Sequence, residues 1–264
     1  MSTGQHQLVA FRGGGFDPVS RKWVSWASFG AVLLAWQAGS SAALINPLFL
    51  PSPLEIAGSL QELLVSGELA RHFAASLFRI GLGWLIGAAF GIAMGVVIGL
   101  SGFGRSAGLP MISAIFPIPK IALLPLLILW FGIGETSKVA TIALGVFFPM
   151  AISTYAGVDN LQRNLIRMGQ SFNMPFSAIL LKVIVPGMLP SVLSGFRISA
   201  SIALILVVAA EMIGANVGIG SLVLTAGNLM QTDKLMAGIV AISILGLSIG
   251  AFISLLERTL LAWR

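Results

Sequence analysis

The segment FPIPKIALLP sets one cation, Lys120, among three prolines, Pro117, Pro119 and Pro125, inside a run that is otherwise apolar. Proline lacks an amide hydrogen and crowds the carbonyl one turn back, so each one frees backbone oxygens from helical pairing. In hydrocarbon such oxygens persist only where protein buries them or water reaches them. Three chemistries fit a lysine placed there. Its ammonium can line a wet pathway and favour a passing anion, with Pro117 and Pro119 exposing carbonyls beside it. It can pair with Glu211, an acid set deep in a later apolar run, AEMIGAN. It can also snorkel to a lipid headgroup. The residues alone leave all three open.

No constellation of catalytic type accompanies that lysine. The chain has no cysteine, so disulfides and thiolate metal sites are excluded. Its two histidines belong to no His/carboxylate cluster, which argues against a metal site. No G-x-x-x-x-G-K-[ST] loop occurs, so any ATP hydrolysis must come from another subunit. The expectation is a chain that is no enzyme and holds no metal or cofactor.

The elements that carry these residues are set by composition. Of 264 residues, 57% are hydrophobic and 9% charged, against roughly 25% charged in soluble domains. With a mean hydropathy of +0.98, the chain reads as an all-α integral membrane protein. Its apolar runs have the length of helical spans, about 20 residues, and lack the alternation of barrel strands. The net charge of +6 fits the Lys/Arg excess of cytoplasmic loops and calls for no nucleic acid.

Hydropathy places six spans at about 23–45, 73–100, 109–131, 139–158, 196–215 and 235–256, after a polar tail, 1–22, read as disordered and cytoplasmic. With the N-terminus inside, the inner segments hold Arg12, Arg21, Lys22, Arg105, Arg163, Arg167, Lys182, Arg258 and Arg264. The outer ones hold only Arg71, Lys138 and Lys234, so both termini are expected in the cytoplasm. Trp23, Trp26, Trp130 and Trp263 fall near the span ends, as aromatic belts do. Arg79 near the outer interface is expected to snorkel. Gly81, Gly83, Gly87, Gly91, Gly95 and Gly99 carry the four-residue spacing of close helix packing. Outside, SPLEIAGSLQELL begins with a capping box of Ser52 and Glu55 around Pro53. Ile56, Leu60, Leu63 and Leu64 should line one face of that helix, with Glu55, Ser59 and Glu62 on another.

The longest inner segment, 159–195, has Leu161, Leu165, Met168 and Phe172 at helical spacing, with Arg163, Arg167 and Gln170 facing elsewhere. Pro175 breaks the pattern, Phe176 to Ile184 begin a second amphipathic stretch, and Pro186 and Pro190 are expected to end it before the next span. The segment reads as a helix-turn-helix with its apolar side on the bundle and a basic tip exposed. As a pattern it fits a docking knob and a partnerless interfacial hairpin equally.

KVIVPGMLPSVLSGFRISASIALILVVAAEMIGANVGIGSLV resembles the cytoplasmic coupling loop and fifth span of binding-protein-dependent ABC importer permeases. FPIPKIALLPLLILWFGIGETSKVATIALGVFFPMAISTYAGV and PSPLEIAGSLQELLVSGELARHFAASLFRIGLGW are similar to the branch serving nitrate, sulfonate and taurine, nearest to the aliphatic sulfonate permeases. The likeness runs from Trp23 to Arg264. WFGIGETSK, GVFFP and AEMIGA are specific only together. It implies the six-helix fold of the type I importer permeases and a homodimer in a bacterial inner membrane. Two ATPase subunits inside and a soluble or lipid-anchored binding protein outside complete the assembly it implies, which imports a small anion.

Carried over residue by residue, the resemblance places ATPase coupling at Arg163, Arg167, Gln170, Asn173, Met174, Pro175 and Phe176. It places an outer gate at Glu211, Met212 and Asn216, while the residues themselves allow Glu211 equally a structural hydrogen bond within the bundle. One departure stands out: the family's Glu-Ala-Ala falls on Arg167, Met168 and Gly169, and its glycine on Asn173. The charge at the knob is therefore reversed, while asparagine can still serve a left-handed turn. Lys120 stands where the family usually has a second proline. A stand-alone secondary transporter would need internal repeats and coupling-ion carboxylates, and a non-transporting scaffold would not need Lys120 beside three prolines.

Overall fold

The computed structural model describes residues 22–262. The tail through Arg21, with Arg12 and Arg21 themselves, and the terminal Trp263 and Arg264 lie outside them. The chain divides into two compact units, one up to Glu55 and one from Ile56 onward. In the first, helix α1 (Lys22–Ser41) is followed by a turn-rich link. The start of α2 (Pro53–Val65) carries the expected capping box: Glu55 N–H donates to Ser52 Oγ at 3.2 Å, and Ser52 N–H to Glu55 Oε2 at 2.7 Å.

The second unit is a bundle. Its members are α3 (Glu68–Leu100), α4 (Gly102–Ile115), α5 (Leu124–Phe131), α6 (Glu135–Asp159), α7 (Arg163–Ser171), α8 (Phe176–Ile179), α9 (Val185–Gly214), α10 (Ile219–Asn228) and α11 (Thr232–Leu260). Among the described residues no strand occurs. Four helical paths are long and apolar enough to cross a membrane: α3, α6, the 39-residue run Phe176–Gly214, and α11. A fifth crossing comes from α4 and α5 only if they count as one span, because they meet at 86°. The 109–131 span is therefore a broken one. The first expected span forms a helix of 20 residues, but its tryptophans, serines and Gln37 keep it below the apolarity of the others.

The bundle is organised on α3 and α6, which run parallel with a glycine seam between them. A Cβ at Gly91 would meet Met150 Cβ at 2.6 Å, and one at Gly95 would meet Thr154 Cβ at 2.6 Å. Gly83, Gly87 and Gly99 face Ile142, Val146 and Val158 in the same register, whereas Gly81 faces open space. The four-residue repeat thus lets two backbones approach as side chains would not. Helix α9 packs antiparallel on α6, with Gly195 against Ser153, and also touches α3, where Trp84 Nε1 donates to Ser199 Oγ at 2.9 Å. Ile98, Ile112, Phe148 and Ala151 form a core that ties α4 to this pair. At one end lie Glu68, Glu135, Gly214 and Thr232 (the Glu68 end); at the other lie Leu100, Asp159, α7 and α8 (the Leu100 end).

Two local expectations are corrected. Ser59 is buried and donates to Asp233 Oδ2 at 2.5 Å, while Leu64 is exposed, so the covered face of α2 is Ile56, Ser59 and Leu63. Pro186 and Pro190 do not end the second amphipathic stretch. A π-turn at Leu180–Ile184, with Val185 N–H reaching Leu180 O, widens the helix just before them. Pro186 follows directly on that π-turn, whose shifted hydrogen bonding accommodates its missing amide within the continuous path, and Pro190 lies inside the helix.

Candidate functional site

Three places hold the residues singled out by sequence. The first is a charge network at the Glu68 end. Arg79 of α3 is 4% exposed and forks onto Glu135 of α6, Nε to Oε2 and Nη2 to Oε1, each at 2.6 Å. Its Nη1 donates to Glu211 Oε1 and to the Val217 carbonyl, both at 2.6 Å. Glu211 of α9, fully buried at its side chain, also accepts from Ser76 Oγ at 2.8 and 2.9 Å and from Gly220 N–H at 2.9 Å. A carboxylate buried in an apolar bundle needs such a shell of donors, and the amide comes from the first turn of α10, where the helix dipole favours an anion.

The same cluster pins the link between α9 and α10. Ile219 N–H donates to Ser76 Oγ at 2.9 Å, and His72 Nδ1 meets the Gly218 backbone. Gly218 has φ +145°, open only to glycine, and a Cβ there would collide with the Glu211 carboxylate. Lys138 is buried too, its Nζ 3.0 Å from Gly134 O and 3.8 Å from Glu135 Oε1. So Glu211 bonds neither lysine, and its ion-pair partner is Arg79. That excludes the Lys120–Glu211 pair and overturns the snorkelling expected of Arg79.

Sequence reasoning missed Arg79, Glu135, Ser76 and His72. A signal existed: Arg79 lies four residues before Gly83, on the extension of the glycine seam. A residue on that face is turned toward α6. Of the expected gate residues, Glu211 lies inside the network, Met212 is exposed on the next helical position, and Asn216 is exposed in the α9–α10 link.

The second place is the break between α4 and α5. Lys120, 9% exposed, donates from Nζ to the carbonyls of Ile115 (2.9 Å), Phe116 (2.8 Å) and Ile118 (2.7 Å). Those oxygens lie at and just beyond the end of α4, where Ile115 O also accepts from Ile118 N–H at 3.1 Å. The ammonium also lies 4.4 Å from the Phe148 ring centroid. An ammonium has three hydrogens, and here each has a backbone acceptor. Pro117 and Pro119 sit exposed in the turn itself. Lys120 is placed as the pin of a broken helix.

The third place is the hairpin at the Leu100 end. Helix α7 ends in a left-handed residue, Asn173 at φ +50°, with Asn173 N–H on Gln170 O and Met174 N–H on Gly169 O. Pro175 then starts α8. Asparagine supplies the bend. Arg163, Arg167, Gln170, Pro175 and Phe176 are exposed, and Met174 is half-buried. The apolar face is not turned to the bundle as expected: Leu165, Met168, Phe172 and Phe176 are all exposed, Phe172 by 75%. Only Gly169, against Ile179, is buried in α7. The helix is too short to bury two faces, so the turn fixes one on α8 and leaves the aromatic one outward.

Comparisons with known proteins agree with this architecture. The family described as binding-protein-dependent transport system inner membrane component matches residues 73–261. The taurine transport system permease protein TauC of Escherichia coli is 38% identical over 252 residues, 93% of this chain and 92% of its own. A Bacillus subtilis protein described as an aliphatic sulfonates transport permease, SsuC, is 36% identical over 246 residues, 92% of this chain and 88% of its own. Among solved structures, an inward-facing form of the MetNI methionine ABC transporter superposes with a TM-score of 0.62 at 20% identity. It covers 73% of this chain and 95% of that one.

Proposed function

Because the chain belongs to the family of binding-protein-dependent transport system inner membrane components, we propose that it is the membrane-spanning subunit of an ATP-driven importer. Its cargo is a small sulfonate, of the alkanesulfonate or taurine class that its relatives carry by name. It works as a homodimer with the pathway between the two copies, two ATPase subunits on the cytoplasmic side and a binding protein outside. The basic excess near Arg105, Arg163, Arg167 and Lys182 puts the Leu100 end in the cytoplasm.

The observation that carries this reading is the α7–α8 hairpin. Phe172 and Phe176 project from a short, sharply turned element whose far side is locked onto Ile179. Exposed aromatics on a rigid knob are what a partner's groove anchors. α8 runs through the π-turn into α9 as a 39-residue helical path, which ends beside the Arg79–Glu211 network. A push on the knob therefore reaches the opposite end of the bundle along one helix, and closure of the ATPases rocks the bundle as a body. The arginine at position 167 calls for an acidic or neutral groove in the ATPase.

Co-purification of the cognate ATPase with the tagged chain tests this. Phe172→Ser with Phe176→Ser should leave the chain inserted and folded but free of ATPase, with loss of substrate-stimulated hydrolysis in proteoliposomes. Undiminished assembly and uptake by this variant would refute the docking assignment.

A further inference from the structure

The turn from α10 to α11, at the Glu68 end, has the geometry of a glycine corner without the glycine. Met230 N–H donates to Gly227 O at 3.1 Å and Gln231 N–H to Ala226 O at 2.9 Å, the two bonds by which a helix commonly ends on a left-handed residue. Glycine usually holds that corner, because a Cβ there crowds the following carbonyl. Here methionine holds it, at φ +57°. Asn173 in the α7–α8 turn has a short polar side chain of the kind that can bond its own backbone, and methionine has none. The corner is kept in place from outside. Asp233 accepts from Ser59 Oγ at 2.5 Å, Lys234 lies 3.7 Å from Glu62 Oε1, and Gly227 packs so closely on Leu235 that a Cβ would meet Cδ1 at 3.2 Å. Strained residues persist where their surroundings over-determine them, and they cluster where function needs them.

What the strained corner achieves is display. Met230 is 72% exposed and Leu229 62%, and the exposed Thr225, Asn228 and Gln231 flank them along the chain. An apolar pair within a polar rim is the anatomy of a protein contact. Lipid tails would demand an apolar rim as well, and the charges of Glu62, Asp233 and Lys234 beside the turn keep it at the level of water. Methionine adapts its shape to a partner's pocket and is over-used on such surfaces. We infer that Leu229 and Met230 anchor the binding protein, entering an apolar pocket on its surface as it docks. The inference rests on the importer reading, which turns the Glu68 end outward and so presents this corner to the protein that delivers the cargo. The corner is rigid before contact, so docking orders little. Each end of the bundle then carries the same device: a turn closed by a left-handed residue, with large apolar side chains held outward.

The test uses the full-length chain in nanodiscs with its ATPase and the purified cognate binding protein. The chain has no cysteine, so Met230→Cys takes a single benzophenone maleimide. Illumination should join it to the binding protein, and the same label on Phe90→Cys, exposed within the long helix α3, should not. Cross-links only to lipid or to a second copy of this chain would overturn the anchor. Leu229→Ser with Met230→Gly should weaken the affinity for the binding protein at least about tenfold, with the ATPase still co-purified and basal hydrolysis unchanged. Melting temperature is the second readout: Met230→Gly alone relieves the corner and should raise it by about 2–4 °C. A fall would show that no strain is held there and overturn the reading. A merely structural turn would gain stability without losing docking, so a double variant that binds as the parent does also sinks the anchor. If the ATPase fails to co-purify with the parent chain, the importer reading falls and takes the anchor with it. If it co-purifies and the binding protein docks elsewhere, only the anchor falls.

Discussion

Replacing Arg79 with methionine keeps most of the volume and removes the guanidinium from between two carboxylates. Glu135 is about half exposed at its side chain, so water rehydrates it. Glu211 has no exposure at its side chain, and it would keep only Ser76 and the Gly220 amide as donors. Removing one member of a buried pair costs about 3–5 kcal/mol. The remaining donors place the expected loss near the lower end, about 3 kcal/mol. At about 2–4 °C per kcal/mol for a chain of this size, the melting temperature should fall by about 6–12 °C. Glu211→Gln should cost less, about 1–3 kcal/mol, because Arg79 keeps its fork on Glu135. The double variant Arg79→Met with Glu211→Gln strands no charge and should be more stable than Arg79→Met alone, with a coupling of about 0.5–3 kcal/mol. Fluorescence-monitored melting of the detergent-solubilised chain measures all three. If the double variant loses the sum of the two single losses, the carboxylate and the guanidinium do not act as a pair, and the network is not what joins α3, α6 and α9.

Gly91→Ala should destabilise by about 1–3 kcal/mol through overpacking of α3 on α6, while Gly81→Ala, which faces open space, should be neutral or better in the same melting assay. Lys120→Met takes a donor from three carbonyls at the α4–α5 break, of which Ile115 O keeps its bond from Ile118 N–H; stability should drop by about 1–3 kcal/mol, and uptake per folded molecule should change less than tenfold. A normal melt with abolished anion uptake would instead return Lys120 to the pathway. Asn173→Val, forced to hold φ near +50°, should cost about 1–2 kcal/mol and weaken ATPase co-purification, whereas Asn173→Gly should be tolerated. Single cysteines at Gln61 and Asn228 should react with an impermeant reagent in intact cells and one at Ser177 should not; the reverse pattern would invert the topology.

Composition and period determined the class of this protein: a chain with 57% hydrophobic residues and 9% charged ones can satisfy its backbone in lipid only by helices or a closed barrel, and apolar runs of about 20 residues without alternation leave the helices. The capping box at Ser52 and Glu55 and the left-handed turn at Asn173 were legible for the same reason: each depends on residues a few positions apart. The glycine seam was legible as packing, though not which helix would fill it. Tertiary structure decided the partners of the charges. Lys120, Glu211 and Arg79 are each ambiguous alone, since an ionisable group in an apolar run can pair, cap or snorkel. Which it does depends on what neighbouring helices bring within about 3 Å. The seam turns Arg79 toward α6, the parallel register brings Glu135 to it, and the return of α9 brings Glu211. Lys120 meets instead the carbonyls of its own broken helix. Likewise the sequence could not say which face of the seventh helix is covered, because a nine-residue amphipathic helix has an apolar side wherever it lies. Only the turn that docks Gly169 on Ile179 leaves Phe172 outward.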